Sequence, residues 1–327
     1  MRTLMGDVQM KNQKALVLKV TAVLICLATS PVCQTHADVM YWTEPSTFRI
    51  FQANTDGTHV QPLITETTYR PQGVAVDVGA GKIYWTAYSG TAGKIRRANL
   101  DGTGAEDVVT TGPNCPFGIA LDPTGGKVYW TDFNARKIQR ANLSGGSVEN
   151  LVTTGLTNPT GIELNVANGK MYWSDANAHR VQRADLNGAN VETLLSVDGS
   201  PIQIDLALGN GKIYGIVGGP THRIIRSNLD GSNLETVLTT SLNNPSGLAI
   251  DPAEAKVYWT EIGSSGPGTG KILRANLDGS NIETLVTGLN QSLLITVAVP
   301  EPSPLALLGL GTAGLLAYVW RRRKRTA

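Results

Sequence analysis

Only 3 of the 327 residues are Cys, 4 are His and 4 are Phe, and 17% are charged. Cys26 and Cys33 fall in an N-terminal stretch that reads as a removable leader. Cys115 alone would then remain, so no disulfide can form within the mature chain. His59, His179 and His222 lie on different repeats with no metal-ligand spacing. No Ser-His-Asp order, Gly-rich phosphate loop or paired-acid motif appears. Nor is there a charge excess: the formal +2 comes from the ends, and Asp38 to Val299 hold 19 Lys/Arg against 24 Asp/Glu. A mildly acidic body has no electrostatic footprint for nucleic acid. What is plentiful is Gly, at 36, and Pro, at 16, in a chain that is 41% hydrophobic. That combination buries a core yet turns often, which points to many short strands.

The two ends read as targeting segments. Lys11, Lys14 and Lys19 lead into an apolar run from Val20 to Ala28, and small residues follow up to Ala37. This is the order of a secretory signal peptide over 1–37, cut after Ala37, with translation starting at Met1 or Met10. At the other end Leu305 to Trp320 is apolar and Arg321 to Arg325 are all basic. Sixteen residues in a helix span about 24 Å, slightly short of a ~30 Å hydrocarbon core. The basic cluster would stay cytoplasmic and leave the body outside.

Between these ends the chain repeats itself. Tyr41-Trp42, Tyr84-Trp85, Tyr129-Trp130, Tyr172-Trp173 and Tyr258-Trp259 recur with a degraded copy at Tyr214-Gly215, each 42 to 45 residues from the last. A second marker runs from Lys94 to Gly102 and returns at 137–145, 180–188, 223–231 and 271–279. A third precedes each aromatic pair, as in Pro116 to Asp122 and Pro245 to Asp251. Each unit reads as four strands, A to D, with Asp-Gly or Asn-Gly turns between the last two. Six such units predict an all-β, six-bladed propeller of four antiparallel strands per blade over 38–299. The mature chain begins at strand B of the first unit, and the apolar segment 293–298 has no unit of its own. That segment is expected to supply the missing strand A and close the ring.

Tyr129-Trp130-Thr131-Asp132 and Tyr172-Trp173-Ser174-Asp175, with their variants ending in Glu44, Ala87 and Glu261, resemble the YWTD repeat, class B of low-density-lipoprotein receptors. The resemblance implies six blades, no reaction chemistry and ligand binding on one face. Val299-Pro300-Glu301-Pro302-Ser303 with the following apolar run and basic end resembles the bacterial PEP-CTERM sorting signal, over 300–327 with a transmembrane helix at 305–320. It implies an exported protein held at the membrane, with an exosortase as processing partner and release to the surface or matrix. An ordinary C-terminal anchor is the plainer alternative.

In strand B alternate side chains face opposite neighbours, so Tyr and Trp should pack to both adjacent blades. The Thr and the acid at the strand end are expected to bond backbone and the strand C arginines Arg97, Arg140, Arg183, Arg226 and Arg274. The fifth unit departs most, with Gly215 for Trp and Gln203 for Gly. Its Asp205 and the fourth unit's Glu163 should face the central channel at one height, with Asp77, Asp122, Asn165 and Asp251 as a second tier. Such oxygens suit a hard cation such as Ca²⁺. The arrangement resembles that of calcium-dependent gluconolactonase propellers, and the resemblance implies a metal-dependent, lactonase-like hydrolase as the rival to a non-enzymatic protein- or glycan-binding module that needs no cofactor. Cys115 reads as a packed residue rather than a nucleophile. For an extracellular protein or polysaccharide ligand, the B–C loops are the better surface, with Tyr88, Phe133 and His222 as candidates. A purely structural surface or matrix component is the third alternative.

Overall fold

A computed structural model describes residues 38–298 apart from 91, 111, 240, 241, 264 and 265. The signal peptide read at 1–37 and the transmembrane helix read at 305–320 lie outside the described residues, among which no helix is long and apolar enough to cross a membrane. Six four-stranded antiparallel sheets make the body. Blade 1 contains β1 (Val39–Glu44), β2 (Arg49–Asn54) and β3 (Gln61–Thr65). Blade 2 is β4 (Arg70–Asp77), β5 (Lys82–Tyr88), β6 (Gly93–Asn99) and β7 (Glu106–Val109). Blade 3 is β8 (Pro116–Asp122), β9 (Lys127–Asp132), β10 (Lys137–Asn142) and β11 (Glu149–Val152). Blade 4 is β12 (Pro159–Asn165), β13 (Lys170–Asp175), β14 (Arg180–Asp185) and β15 (Glu192–Ser196). Blade 5 is β16 (Ser200–Ala207), β17 (Lys212–Gly218), β18 (Arg223–Asn228) and β19 (Glu235–Leu238). Blade 6 is β20 (Pro245–Asp251), β21 (Lys256–Glu261), β22 (Gly270–Asn276) and β23 (Glu283–Leu289).

The last strand, β24 (Ile295–Ala298), pairs antiparallel with β1, Val39 against Ala298 and Trp42 against Ile295. The chain thus closes its ring as its sequence implies. The ladder starts two residues later than expected, because Leu293 and Leu294 bond Thr43 across an irregular step. The six innermost strands surround a channel of about 270 Å³ lined from all six blades.

Alternation along strand B decides the core. Tyr41 packs in one cluster with Trp85 of the next blade. Tyr84 meets Trp130, Tyr129 meets Trp173, Tyr214 meets Trp259 and Tyr258 meets Trp42. All five Trp are fully buried. Only between blades 4 and 5 is the Trp absent; there Tyr172 packs against Ile204 and Ile213. At Gly215 a Cβ would come within 3.7 Å of both Ile204 and Ile225, so the missing indole leaves little space.

The hydroxyl after each Trp links blades. Thr131 Oγ1 accepts the N–H of Gly118 in its own blade at 2.9 Å and donates to the Thr160 carbonyl of the next at 2.5 Å. Thr86 does the same between Gly73 and Phe117, and Thr260 between Gly247 and Leu293. Ser174 links Gly161 to Ile202, and Thr43 links Leu294 to Gln72. In blades 2, 3, 4 and 6 these N–H groups are free because strand A shifts register there, as between Pro116 and Ile119. Glycine is required at 73, 118 and 247, since a Cβ would strike the neighbouring blade's carbonyl. Blade 5 has Ile216 at the hydroxyl position, and its shift falls between Pro201 and Gln203, which pairs directly with Ile216.

The strand C arginines do not join this relay, contrary to the sequence expectation. Arg97, Arg140, Arg183 and Arg226 pair with strand D glutamates and donate to the carbonyls of Leu143, Leu186, Leu229 and Leu277 on the next blade. Arg274 pairs with Glu283 and reaches Thr55. Each sits at mid-strand opposite the Tyr, as Arg97 does with Tyr84, and not beside the terminal acid.

Ile295 is buried in the seam cluster with Trp42 and Tyr258. Replacing it with Ala should lower the unfolding free energy by about 2–5 kcal/mol in urea titrations. Ending the chain at Asn290, which removes β24, should abolish the cooperative transition.

Candidate functional site

The ring presents two kinds of site: a groove on the face where strand B ends, and the acid pair in the channel. In the groove, blades 1 to 3 contribute Pro45, Arg70, Gln72, Tyr88, Cys115, Phe117 and Phe133 around a cavity of about 550 Å³. The structure therefore brings Tyr88 and Phe133 together. His222 is elsewhere, two blades from Phe133, in a separate depression with Leu242, Glu261 and Lys271. Lying on one face does not make residues neighbours around a ring.

Local bonds explain why the groove residues meet. Asp132, fully buried at the end of β9, accepts the N–H groups of Asn114 at 2.6 Å, Cys115 at 3.1 Å and Ala135 at 2.9 Å. The acid of the repeat motif thus ties the segment entering β8 to the turn leaving β9. The Phe133 N–H donates to the Cys115 carbonyl at 2.9 Å, which sets the two residues side by side. Asp175 holds Thr157 and Asn158 in the same way in blade 4, so the recurring acids are structural. Blade 2 has Ala87 in place of the acid. There β5 runs on to Tyr88, whose hydroxyl donates to the Gly90 carbonyl at 2.7 Å and folds the loop over.

The aromatic floor is the pair Phe117 and Phe133, their ring centroids 6.3 Å apart and tilted by 40°. Sequence reasoning missed Phe117, Arg70 and Gln72. Phe117 and Gln72 occupy the middle of the Pro-x-Gly triplet, the position of that triplet whose residue varies most. Half of the chain's four Phe lie in this groove, a scarcity signal that was available. The Arg70 guanidinium lies 5.4 Å from the Phe48 ring centroid and is exposed to solvent. Burial, aided by the Asp132 charge, pushes the Cys115 thiol up to about 11, so it is not a thiolate at neutral pH.

In the channel, Glu163 of β12 and Asp205 of β16 line the same cavity, as the alignment of the repeats implied. Both Asp205 oxygens are engaged, one by its own neighbour Leu206 N–H at 2.6 Å and the other by Ile250 N–H of blade 6 at 2.7 Å. Burial raises both acids, and the Asp205 charge raises Glu163 further; Asp205 reaches about 7 despite its two N–H donors. The expected second tier does not converge there. Asp77, Asp122, Asn165 and Asp251 instead accept backbone N–H groups of their own A–B turns. Among the described residues no group of three His, Cys, Asp or Glu gathers as a metal site.

Comparison with known proteins bears on these features. Residues 38–78, 126–162 and 169–205 match the low-density lipoprotein receptor repeat class B, and 298–324 match the PEP-CTERM protein-sorting motif. The chain carries both. No curated protein matches the sequence. Among solved structures, a chain of the nidogen/laminin complex is similar with a TM-score of 0.69 at 20% identity, covering 80% of this chain and 98% of that one. TolB from Acinetobacter baumannii gives 0.66 at 16% identity, over 80% and 66% of the two chains. At such identities the likeness is one of fold. The sorting motif supports export and association with the cell envelope.

The raised acids carry a pH signature. The folded pair retains a proton that the unfolded chain gives up, so its contribution is fully present below the ordinary carboxylate range and is lost as pH rises through about 7. Glu163→Gln should therefore melt several degrees above the wild type at pH 8, and the gap should close by pH 5.

Proposed function

We propose that this exported propeller is a non-enzymatic binding module, held at the envelope by its C-terminal segment, that captures a protein segment in the groove of blades 1 to 3. The observation that carries the reading is the Phe117–Phe133 floor with Arg70 and Gln72 at its edge. Phenylalanine and arginine are both enriched in protein interfaces relative to the rest of the surface. A cavity of this size accepts one large apolar side chain with its neighbours. An acidic residue next to that anchor would pair with the Arg70 guanidinium. The fold supports the reading too, since one similar chain was solved within a protein–protein complex.

A second reading has one observation in its favour. Glu163 accepts no hydrogen bond among the described residues and faces Asp205, so a cation in the channel would relieve their repulsion. Ca²⁺ held there by Glu163 and Asp205 would raise the melting temperature of the wild type and not of Glu163→Gln.

Peptide libraries selected on the full chain should return segments that place an aromatic or large aliphatic residue beside Asp or Glu. Phe133→Ala should weaken their binding by about 2 kcal/mol, roughly 30-fold, in titration calorimetry, and Arg70→Ala should weaken only acidic segments. Unchanged binding to Phe133→Ala, or enrichment of oligosaccharides instead of peptides on arrays, would contradict the reading.

A further inference from the structure

β1 spans the height of the ring from one face to the other. Its first residue, Val39, pairs with Ala298, the last residue of β24. Its last residue, Glu44, leads into Pro45 on the groove wall. Six residues at ~3.3 Å rise put these two points about 20 Å apart. The sorting motif begins at residue 298, so the chain leaves the propeller on the face opposite the groove.

The link beyond that point is short. From Ala298 to Leu305, where the apolar run begins, seven residues reach at most about 25 Å when fully extended. Passing around the rim to the groove face would take about 14 Å outward across a four-stranded blade and then about 20 Å upward. The link cannot make that path. The channel offers no shortcut, since β24 itself forms part of its wall.

We propose that the tether face is held toward the membrane and the groove is presented away from it, so that the groove's partner is taken in trans: a protein segment on the outward side and not one lying in the plane of the same bilayer. The inference rests on the tether reading above and adds a direction to it. The Thr124 turn between β8 and β9 shares the face of Ala298, because Asp122 and Lys127 pair at that end of blade 3. Asn134, in the turn after β9, shares the face of the groove. Both are exposed.

The test uses the mature chain, Asp38 to Ala327, in vesicles, so that the C-terminal segment is the one apolar anchor, with Cys115 changed to Ser and a single Thr124→Cys or Asn134→Cys carrying a fluorophore. Energy transfer to acceptor-labelled lipid headgroups should be stronger from position 124, by an amount matching about 20 Å of extra height at position 134. Co-flotation of the same samples with the vesicles is measured first. Failure to float would overturn the tether and the orientation together. Flotation with equal transfer from the two positions, or with stronger transfer from 134, would leave the tether standing and overturn the orientation alone.

Discussion

The structure depends on one hydroxyl per blade. In five of six blades the residue after the Trp position is Thr or Ser, and its oxygen both accepts from strand A of its own blade and donates to strand A of the next. The bond needs a free N–H and a close approach of the blades. In blades 2, 3, 4 and 6 strand A shifts register to free an N–H, and a glycine stands there so that the neighbouring blade can approach; in blade 1 the N–H is that of Leu294, just ahead of the β24 ladder. A buried N–H and a buried carbonyl on different blades are then satisfied by one side chain. The Tyr and Trp that precede the hydroxyl residue fill the two flanking interfaces, so the three successive residues fix packing and polarity together.

This constraint positions both sites. The carbonyls that receive Thr43 and Thr86 belong to Gln72 and Phe117, two residues of the groove. The relay thereby sets how closely blades 1, 2 and 3 bring their rims together, and Asp132 then draws Cys115 and Phe133 into line. The channel pair arises where the relay stops. Blade 5 has neither the hydroxyl nor the glycine, and Asp205 instead reaches across to the Ile250 N–H of blade 6. Desolvation in the channel raises the protonation range of this carboxylate, against the lowering effect of its two backbone donors.

The period of the repeat made blade number, strand order and ring closure legible, because aromatic pairs 42 to 45 residues apart define equivalent positions without any knowledge of distance. Equivalence also placed Glu163 and Asp205 on one wall. It failed where the answer depends on direction or on arc length. Arg97 lies across from Tyr84 in register, but nothing in the spacing says that its guanidinium turns to Glu106 and the next blade. Asp122 ends strand A, where alternation points it at the channel, yet the turn it begins supplies a donor at Gly125. His222 shares a face with Phe133 and no wall. Phe117 escaped notice because it sits at the variable centre of an otherwise repeated triplet, where repetition carries no information and only local chemistry does.

The most direct test of the account is the urea unfolding free energy of Thr131→Val set beside that of Thr131→Ser. Valine keeps the shape and removes the hydroxyl, which leaves the Gly118 N–H and the Thr160 carbonyl buried without a partner; a loss of about 1–3 kcal/mol is predicted. Serine, which blade 4 already uses at Ser174, should retain most of the wild-type stability. A valine variant as stable as the wild type would show that the blades are joined by apolar packing alone.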